Sequence, residues 1–316
     1  MEASQIKVVH IYQNTIGGNL LFYTVSDFLV FFTIFCREAR RWKVRVIGVC
    51  PMYDHLHILV ECDDKHRIYR FVQAYTRQYA EAFNISIGSS GSIFNEHFGR
   101  AERTGLKEVR SACSYLYNNP GEKNLCRRAE DYRWTFLAYA VSKNPFSEPI
   151  VLSKAGFRLR NAVKMVDYYR KHDKPLQYKW LTAMTDKLTR LEIQQLTDYI
   201  ISSYNCIDYD RLISFYGSYS QVCLAFASNQ GKEFGFKEEY SPGNHLEFIH
   251  IGNLLTRTFG VANVKDIFKL PAPEKERLAG LCFIMTTATK RQIAKYFRGV
   301  QAPDNLRDTR SLSPKF

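Results

Sequence analysis

Residues 44–62 read VRVIGVCPMYDHLHILVEC. Residues 44–52 and 55–62 are rich in β-branched and other apolar side chains, which is typical of strands. Only Tyr53 and Asp54 separate the two runs, and a gap of two residues between strands predicts a tight antiparallel hairpin. This hairpin decides the fold because it places two neighbouring strands in the middle of a longer series of elements.

The flanking elements complete that series. In chain order we predict a strand at 6–13, a helix from Ser26 to about Trp42, a helix at 67–84, a strand at 93–98 and a helix at 106–119 that stops at Pro120 and Gly121. With the hairpin, the order is βαββαβ plus a helix. It predicts an α+β fold, a ferredoxin-like or RRM-like antiparallel sheet with helices on one face. The other face would be left open to bind a partner.

The second half of the chain has a different pattern. From residue 181 to residue 299 the apolar residues recur at helical spacing, and no run resembles a strand. We therefore predict a first domain at residues 1–145, a connecting segment at 146–180 and an all-α domain at 181–316. A helix, short turn and basic helix at 270–299 predict a helix-turn-helix within the last of these.

Composition points to a polyanionic partner. The 316 residues carry a formal net charge of +13 and are 14% aromatic. Residues 1–150 contribute a net charge of +4 and residues 151–316 a net charge of +9. A basic surface with many flat rings suits single-stranded nucleic acid, although a merely soluble basic protein would have the same charge.

Cysteine usage and the N-terminus predict a cytoplasmic protein. None of the eight cysteines lies in a CxxC pair, which favours buried reduced thiols over disulfides or a zinc site. Residues 1–7 lack the features of a signal peptide. The apolar stretch at 19–35 is interrupted by Thr24, Ser26 and Asp27, so we expect a buried helix and not a membrane span.

The pair His55 and His57 is the clearest chemical signal. Side chains two apart on a strand point to the same face, so both imidazoles would project together. Two imidazoles on one rigid surface can hold a metal ion. In an arbitrary chain, two histidines flanking an apolar residue would more often be a coincidence.

Residues 115–120, YLYNNP, form the second signal. Tyr115 and Asn119 are four apart and would share one helix face, so a tyrosine nucleophile and an amide oxygen ligand could face the histidines together. Taken alone, Tyr115 is better explained as an amphipathic core residue and Asn119 as a helix C-cap.

Together, MYDHLHILVE and YLYNNP resemble the HUH single-tyrosine transposases, in particular the REP-associated tyrosine transposases, over roughly residues 6–140. The resemblance implies that Tyr115 is the nucleophile and that His55, His57 and Asn119 hold Mg²⁺ or Mn²⁺. It implies a partner, single-stranded DNA with hairpin or repeat structure. Tyr117 departs from the pattern as a second tyrosine and is an alternative nucleophile.

The implied reaction is site-specific cleavage and rejoining of single-stranded DNA through a 5′-phosphotyrosine. The covalent link keeps the phosphodiester energy, and the chain has no GxxxxGK[ST] nucleotide-binding loop. Two alternatives are a non-catalytic single-strand binder and an HUH nickase of the replication or relaxase type. The sequence leaves open whether the protein is a monomer or a homodimer.

The basic helix near residue 290 resembles the helix-turn-helix tails of longer family members. We expect Lys290, Arg291, Lys295 and Arg298 to meet phosphates of duplex DNA and Gln292 to contact a base edge. The alternative is a basic amphipathic helix on the protein surface.

Overall fold

A computed structural model describes residues 6–229 and 244–302. Its sheet has four antiparallel strands in the order β2-β3-β1-β4, which confirms the ferredoxin-like arrangement. The strands are β1 (Lys7–Asn14), β2 (Arg45–Pro51), β3 (His55–Glu61) and β4 (Gly99–Thr104). β1 and β3 lie in the centre, and β2 and β3 form the predicted hairpin.

Two helices, α1 (Val25–Arg41) and α2 (Lys65–Ile87), cover the first face of the sheet. α1 begins one residue earlier than predicted, because Thr24 and Asp27 form a reciprocal capping box. Its apolar residues pack with those of α2 on the strand residues that point to this face, including Ile11 and Ile58. The apolar stretch at 19–35 is thus core, and no helix in the described ranges is long and apolar enough to cross a membrane.

The fourth strand is not where the sequence predicted it. Residues 93–98 make only an isolated bridge, between Phe94 and Thr15, and Ile93 and Phe94 are buried in the core. β4 follows at the sheet edge, where one side faces solvent, so its polar sequence GRAERT carries little apolar signal. The first residue of β4 is Gly99, and only a glycine fits there because the ring of Tyr12 occupies the place of a Cβ.

Helix α3 (Gly105–Glu122) packs on the second face of the sheet. Its apolar side, including Leu116, is buried against Val8, Ile47 and Leu59. The prediction that this face is open is therefore wrong along much of its length. Pro120 lies inside the helix and does not end it, because the Lys123 N–H still bonds to the carbonyl oxygens of Asn119 and Pro120.

The described part of the second half contains helices and no named strand. The helices are α4 (Phe157–Lys171), α5 (Tyr178–Thr185), α6 (Arg190–Tyr204), α7 (Tyr209–Ser214), α8 (Tyr219–Ser228), α9 (Leu246–Arg257), α10 (Ala272–Met285) and α11 (Lys290–Tyr296). α4, in the predicted connecting segment, packs on α6, which packs on α1. Helices α9 to α11 pack around a further apolar cluster, which also includes Leu20, and we call residues 244–302 the C-terminal helical cluster. The predicted domain boundaries stay a prediction.

All eight cysteines are free thiols in the structure. Five of them are buried, and Cys62, Cys126 and Cys206 are partly exposed.

Candidate active site

A cavity of about 700 Å³ lies between the second sheet face, the end of α3 and helix α11. Its walls are mostly polar and come from parts of the chain far apart in sequence. The lining residues are Tyr12, Asn14, Thr15, Gly17, Gly18, Asp54, His55, His57, Asn95, Tyr115, Asn119, Glu122, Lys123, Arg291 and Lys295. All four residues predicted for catalysis and metal binding are among them.

Strand β3 directs both histidines of the motif to this cavity. Cross-strand pairing places His57 opposite Tyr12 and His55 opposite Asn14, on the face that α3 covers. His57 is buried, and its Nδ1 lies 3.3 Å from Nε2 of His10 on β1. His10 was not predicted from the sequence, because one histidine in a strand carries no motif.

Burial favours the neutral form of the histidine rings in this site. It lowers the pKa of His57 well below its usual value, and nearby basic groups lower it further. Burial, with a smaller effect of Arg103, lowers the pKa of His10 to about 3. A neutral imidazole keeps a lone pair for a metal ion.

The orientation of His55 is set by its neighbour Asp54. The His55 Nδ1 lies 2.7 Å from Oδ1 of Asp54, and an ionised carboxylate only accepts, so Nδ1 is the donor. In the neutral form of His55 the lone pair is then on Nε2. A carboxylate that fixes the second ring nitrogen is a recurrent feature of histidines that bind metals in proteins. Asp54 directly precedes the motif, but its sequence position suggested only a turn.

Helix α3 brings Tyr115 and Asn119 to the same cavity. The Tyr115 ring, partly exposed, meets the His57 ring edge to face with 5.2 Å between the centroids. The Asn119 side-chain nitrogen lies 3.2 Å from Nε2 of His57. Within the described residues, the Asn119 Oδ1 is buried without a hydrogen-bond partner.

Tyr117 points away from the cavity. Its side chain is fully buried, its hydroxyl donates to the carbonyl oxygen of Ile47 at 3.3 Å, and its ring stacks on Phe226. Burial raises the pKa of Tyr117 well above its usual value. Gly48 permits this packing, because a Cβ there would lie 3.0 Å from the Tyr117 hydroxyl. Tyr117 is therefore a core residue, and Tyr115 is the tyrosine that the cavity presents.

The residues present fit a small divalent ion. Among the described residues, histidine, cysteine and carboxylate side chains form no group of three suited to a metal, so a site here would need the Asn119 amide oxygen as a third ligand. Its unpartnered Oδ1 is an oxygen ligand of the kind that Mg²⁺ and Mn²⁺ accept, and the two imidazoles are ligands that Mn²⁺ also takes.

The predicted DNA contacts of α11 need correction. Gln292 is 9% exposed, and its amide bonds to Thr289 and to the carbonyl oxygen of Asn244, so it is not available to a base. Lys295 is buried in an ion pair with Asp54. Arg298 lies over the rings of Phe83 and Phe268.

Two predicted DNA contacts of α11 stay exposed, Lys290 and Arg291. Arg291 lines the cavity with Tyr115. Binding of duplex DNA by this region stays a prediction.

Comparison with known proteins finds similarity over part of the chain. Residues 24–119 match the family model described as "Transposase IS200 like". No curated protein matches the chain. A solved structure titled "Structure of the REP associates tyrosine transposase bound to a REP hairpin" matches with 14% identity and a TM-score of 0.35, over 45% of this chain and 84% of that chain. The family match spans both histidines, Tyr115 and Asn119, and it confirms the resemblance inferred from those residues: residues 24–119 are similar to the IS200-like transposases.

Proposed function

We propose that this protein cleaves and rejoins single-stranded DNA as a transposase, through a covalent bond between DNA and Tyr115. The observation that carries the proposal is that Tyr115 lines one cavity with His55, His57 and Asn119. A nucleophile within the same pocket as a metal-binding group is the arrangement that phosphoryl transfer needs. The family match over residues 24–119 supports the same class of protein.

The reaction exchanges one phosphodiester for another. The Tyr115 oxygen attacks phosphorus and loses its proton, while the bond to the 3′ oxygen breaks and that oxygen gains a proton. The products are a 5′-phosphotyrosine and a free 3′-hydroxyl. The reverse attack by a 3′-hydroxyl reseals the strand, so the cycle needs no nucleotide cofactor.

His55, His57 and Asn119 would hold Mg²⁺ or Mn²⁺. When bound, such an ion polarises the scissile phosphate and stabilises the leaving oxygen. The chain's own contribution is to keep the His57 ring neutral by burial and to fix the His55 ring against Asp54. A phenol has an ordinary pKa of about 10 and attacks slowly at neutral pH. A metal ion that polarises the phosphate would offset this low reactivity.

The cavity suits an unpaired strand. Lys123 and Arg291 give its wall positive charge, and Tyr12 offers an aromatic ring on which a base can stack. We propose single-stranded DNA with hairpin or repeat structure as the substrate. The direct test is covalent attachment of a labelled oligonucleotide to the protein, with the Tyr115 variant described in the Discussion.

Arg291 is expected to contact a DNA phosphate in the cavity. Arg291→Gln should weaken binding of a short single strand and reduce the slope of log affinity against log salt by about 0.7, the value for one phosphate contact. Lys290→Gln is the matched control, since Lys290 precedes it on α11 and does not line the cavity. Binding titrations at several salt concentrations measure both, and equal slopes for the two variants would contradict this role of Arg291.

A further inference from the structure

The C-terminal helical cluster reaches the candidate metal site through one carboxylate. The Lys295 Nζ lies 2.6 Å from Oδ2 of Asp54, although 241 positions separate the two residues. Asp54 is 4% exposed and Lys295 is 9% exposed. His245, also in this cluster, is buried with its Nε2 3.5 Å from Oδ1 of Asp54.

The two oxygens of Asp54 have different partners. Oδ1 accepts from His55 Nδ1 and Oδ2 accepts from Lys295. The backbone of Asp54 is also held, because its carbonyl oxygen accepts from the Thr15 hydroxyl at 3.1 Å. The carboxylate group is therefore held from both ends, and one of its oxygens contacts the His55 ring.

The fold makes room for this contact. Gly18 has a φ of +67°, and a Cβ at that position would lie 3.0 Å from Cε of Lys295. A glycine in the loop after β1 thus lets the lysine side chain pass to Asp54.

We propose that Lys295 is a positioning residue for the metal site: through Asp54 it holds the His55 ring in the orientation that directs Nε2 into the cavity. This inference rests on the proposed function, in which His55 is a metal ligand. The inference gives α11 a role in the nuclease site, in addition to the contacts with duplex DNA that the sequence predicted.

Anchoring of the cluster does not explain Lys295 by itself. A second buried pair already joins the cluster to the first half of the chain: Lys265 Nζ lies 2.8 Å from Oδ1 of Asp27 at the start of α1. The Tyr23 hydroxyl adds a bond to the carbonyl oxygen of Tyr296 at 3.0 Å. Buried ion pairs contribute little net stability, because desolvation offsets their attraction. A lysine placed on the carboxylate that orients His55 therefore points to a role in the site.

Lys265→Met is the matched control for Lys295→Met. Each variant removes the lysine of one buried Lys–Asp pair between the same two parts of the chain, but only Lys295 contacts the site. We expect both full-length variants to melt at lower temperature, because each leaves a buried aspartate without its lysine. Mn²⁺ binding is then measured at a temperature below the melting transitions of both variants. Lys295→Met should bind Mn²⁺ about tenfold more weakly than wild type, since loss of a residue that supports a metal ligand costs at least about tenfold in affinity. Lys265→Met should bind Mn²⁺ as wild type does.

The ¹⁵N NMR signals of the His55 ring, assigned with His55→Gln, provide a readout without metal. We expect wild type and Lys265→Met to show a single form protonated at Nδ1, and Lys295→Met to lose that pattern. If wild type fails to bind Mn²⁺, the proposed metal site is wrong, while the His55 spectra still decide whether Lys295 positions the ring.

A double-mutant cycle tests whether Lys295 acts through Asp54. Asp54→Asn, Lys295→Met and the double variant should show non-additive losses of Mn²⁺ affinity, because both changes disturb the same carboxylate contact. Additive losses would overturn the proposal. Unchanged Mn²⁺ affinity and unchanged His55 signals in Lys295→Met, with a melting temperature lowered as in Lys265→Met, would overturn it as well and leave Lys295 a structural anchor.

Discussion

Tyr115→Phe is expected to abolish the covalent adduct between the protein and a labelled single-stranded hairpin oligonucleotide. The variant lacks the only atom that would form the bond to phosphorus, and its ring can still occupy the same place beside His57. Binding of the oligonucleotide should persist, since most affinity comes from phosphate contacts. Denaturing gels in Mg²⁺ or Mn²⁺ measure the adduct, and a binding titration on the same preparation measures affinity.

Tyr117→Phe is the matched control for this experiment. The substitution removes a buried hydroxyl that donates to Ile47, so it should lower the free energy of unfolding by about 1 kcal/mol. The adduct should still form, because the Tyr117 side chain does not reach the cavity. If Tyr117→Phe loses the adduct while Tyr115→Phe keeps it, Tyr117 is the nucleophile. If wild type forms no adduct, the protein is better explained as a non-catalytic single-strand binder.

The His55→Ala/His57→Ala double variant is expected to stop cleavage and to lose stabilisation by Mn²⁺. Two of the three proposed ligands are removed, and only Asn119 remains. A metal ion that binds the folded state raises the free energy of unfolding by about 2.7 kcal/mol at 100 times its dissociation constant, so the wild-type melting temperature should rise with Mn²⁺ and that of the variant should not. Asn119→Ala should have a smaller effect, since both imidazoles stay in place.

His172→Ala controls for the loss of a histidine as such. His172 is exposed and follows helix α4, where its ring bonds to the carbonyl oxygen of Tyr168. It should cleave DNA and respond to Mn²⁺ as wild type does. Normal cleavage by the double variant, with an unchanged response to Mn²⁺, would refute the assignment of His55 and His57 as ligands.

The core of the fold could be predicted because its signals are local. Two strand runs with a gap of two residues at Tyr53 and Asp54 can pair only as a hairpin, and helical periodicity marks α1 and α2. The fourth strand was misplaced because an edge strand with one solvated side has few apolar residues. Residues 93–98 are more apolar, yet they pack in the core without joining the ladder.

Within the candidate site, spacing alone brought His55 and His57 to one face, since side chains alternate along a strand. The same reasoning placed Tyr115 and Asn119 on one side of a helix. The resemblance favoured Tyr115 and left Tyr117 as an alternative, since both lie on the same short segment. Packing of α3 on the sheet determines which of the two faces the cavity, because that packing buries Tyr117 against Ile47 and Phe226.

The order of elements, the histidine pair and the tyrosine helix could be read from the sequence, because those features depend on residues a few positions apart. The contacts of Lys295 and Gln292 could not, because they form only in the folded chain. Their charge and polarity suggested contact with DNA, but whether a side chain on a helix meets solvent or protein depends on the surface against which the helix packs. For α11 that surface includes Asp54, 241 positions away from Lys295, and no local pattern encodes a contact over that separation.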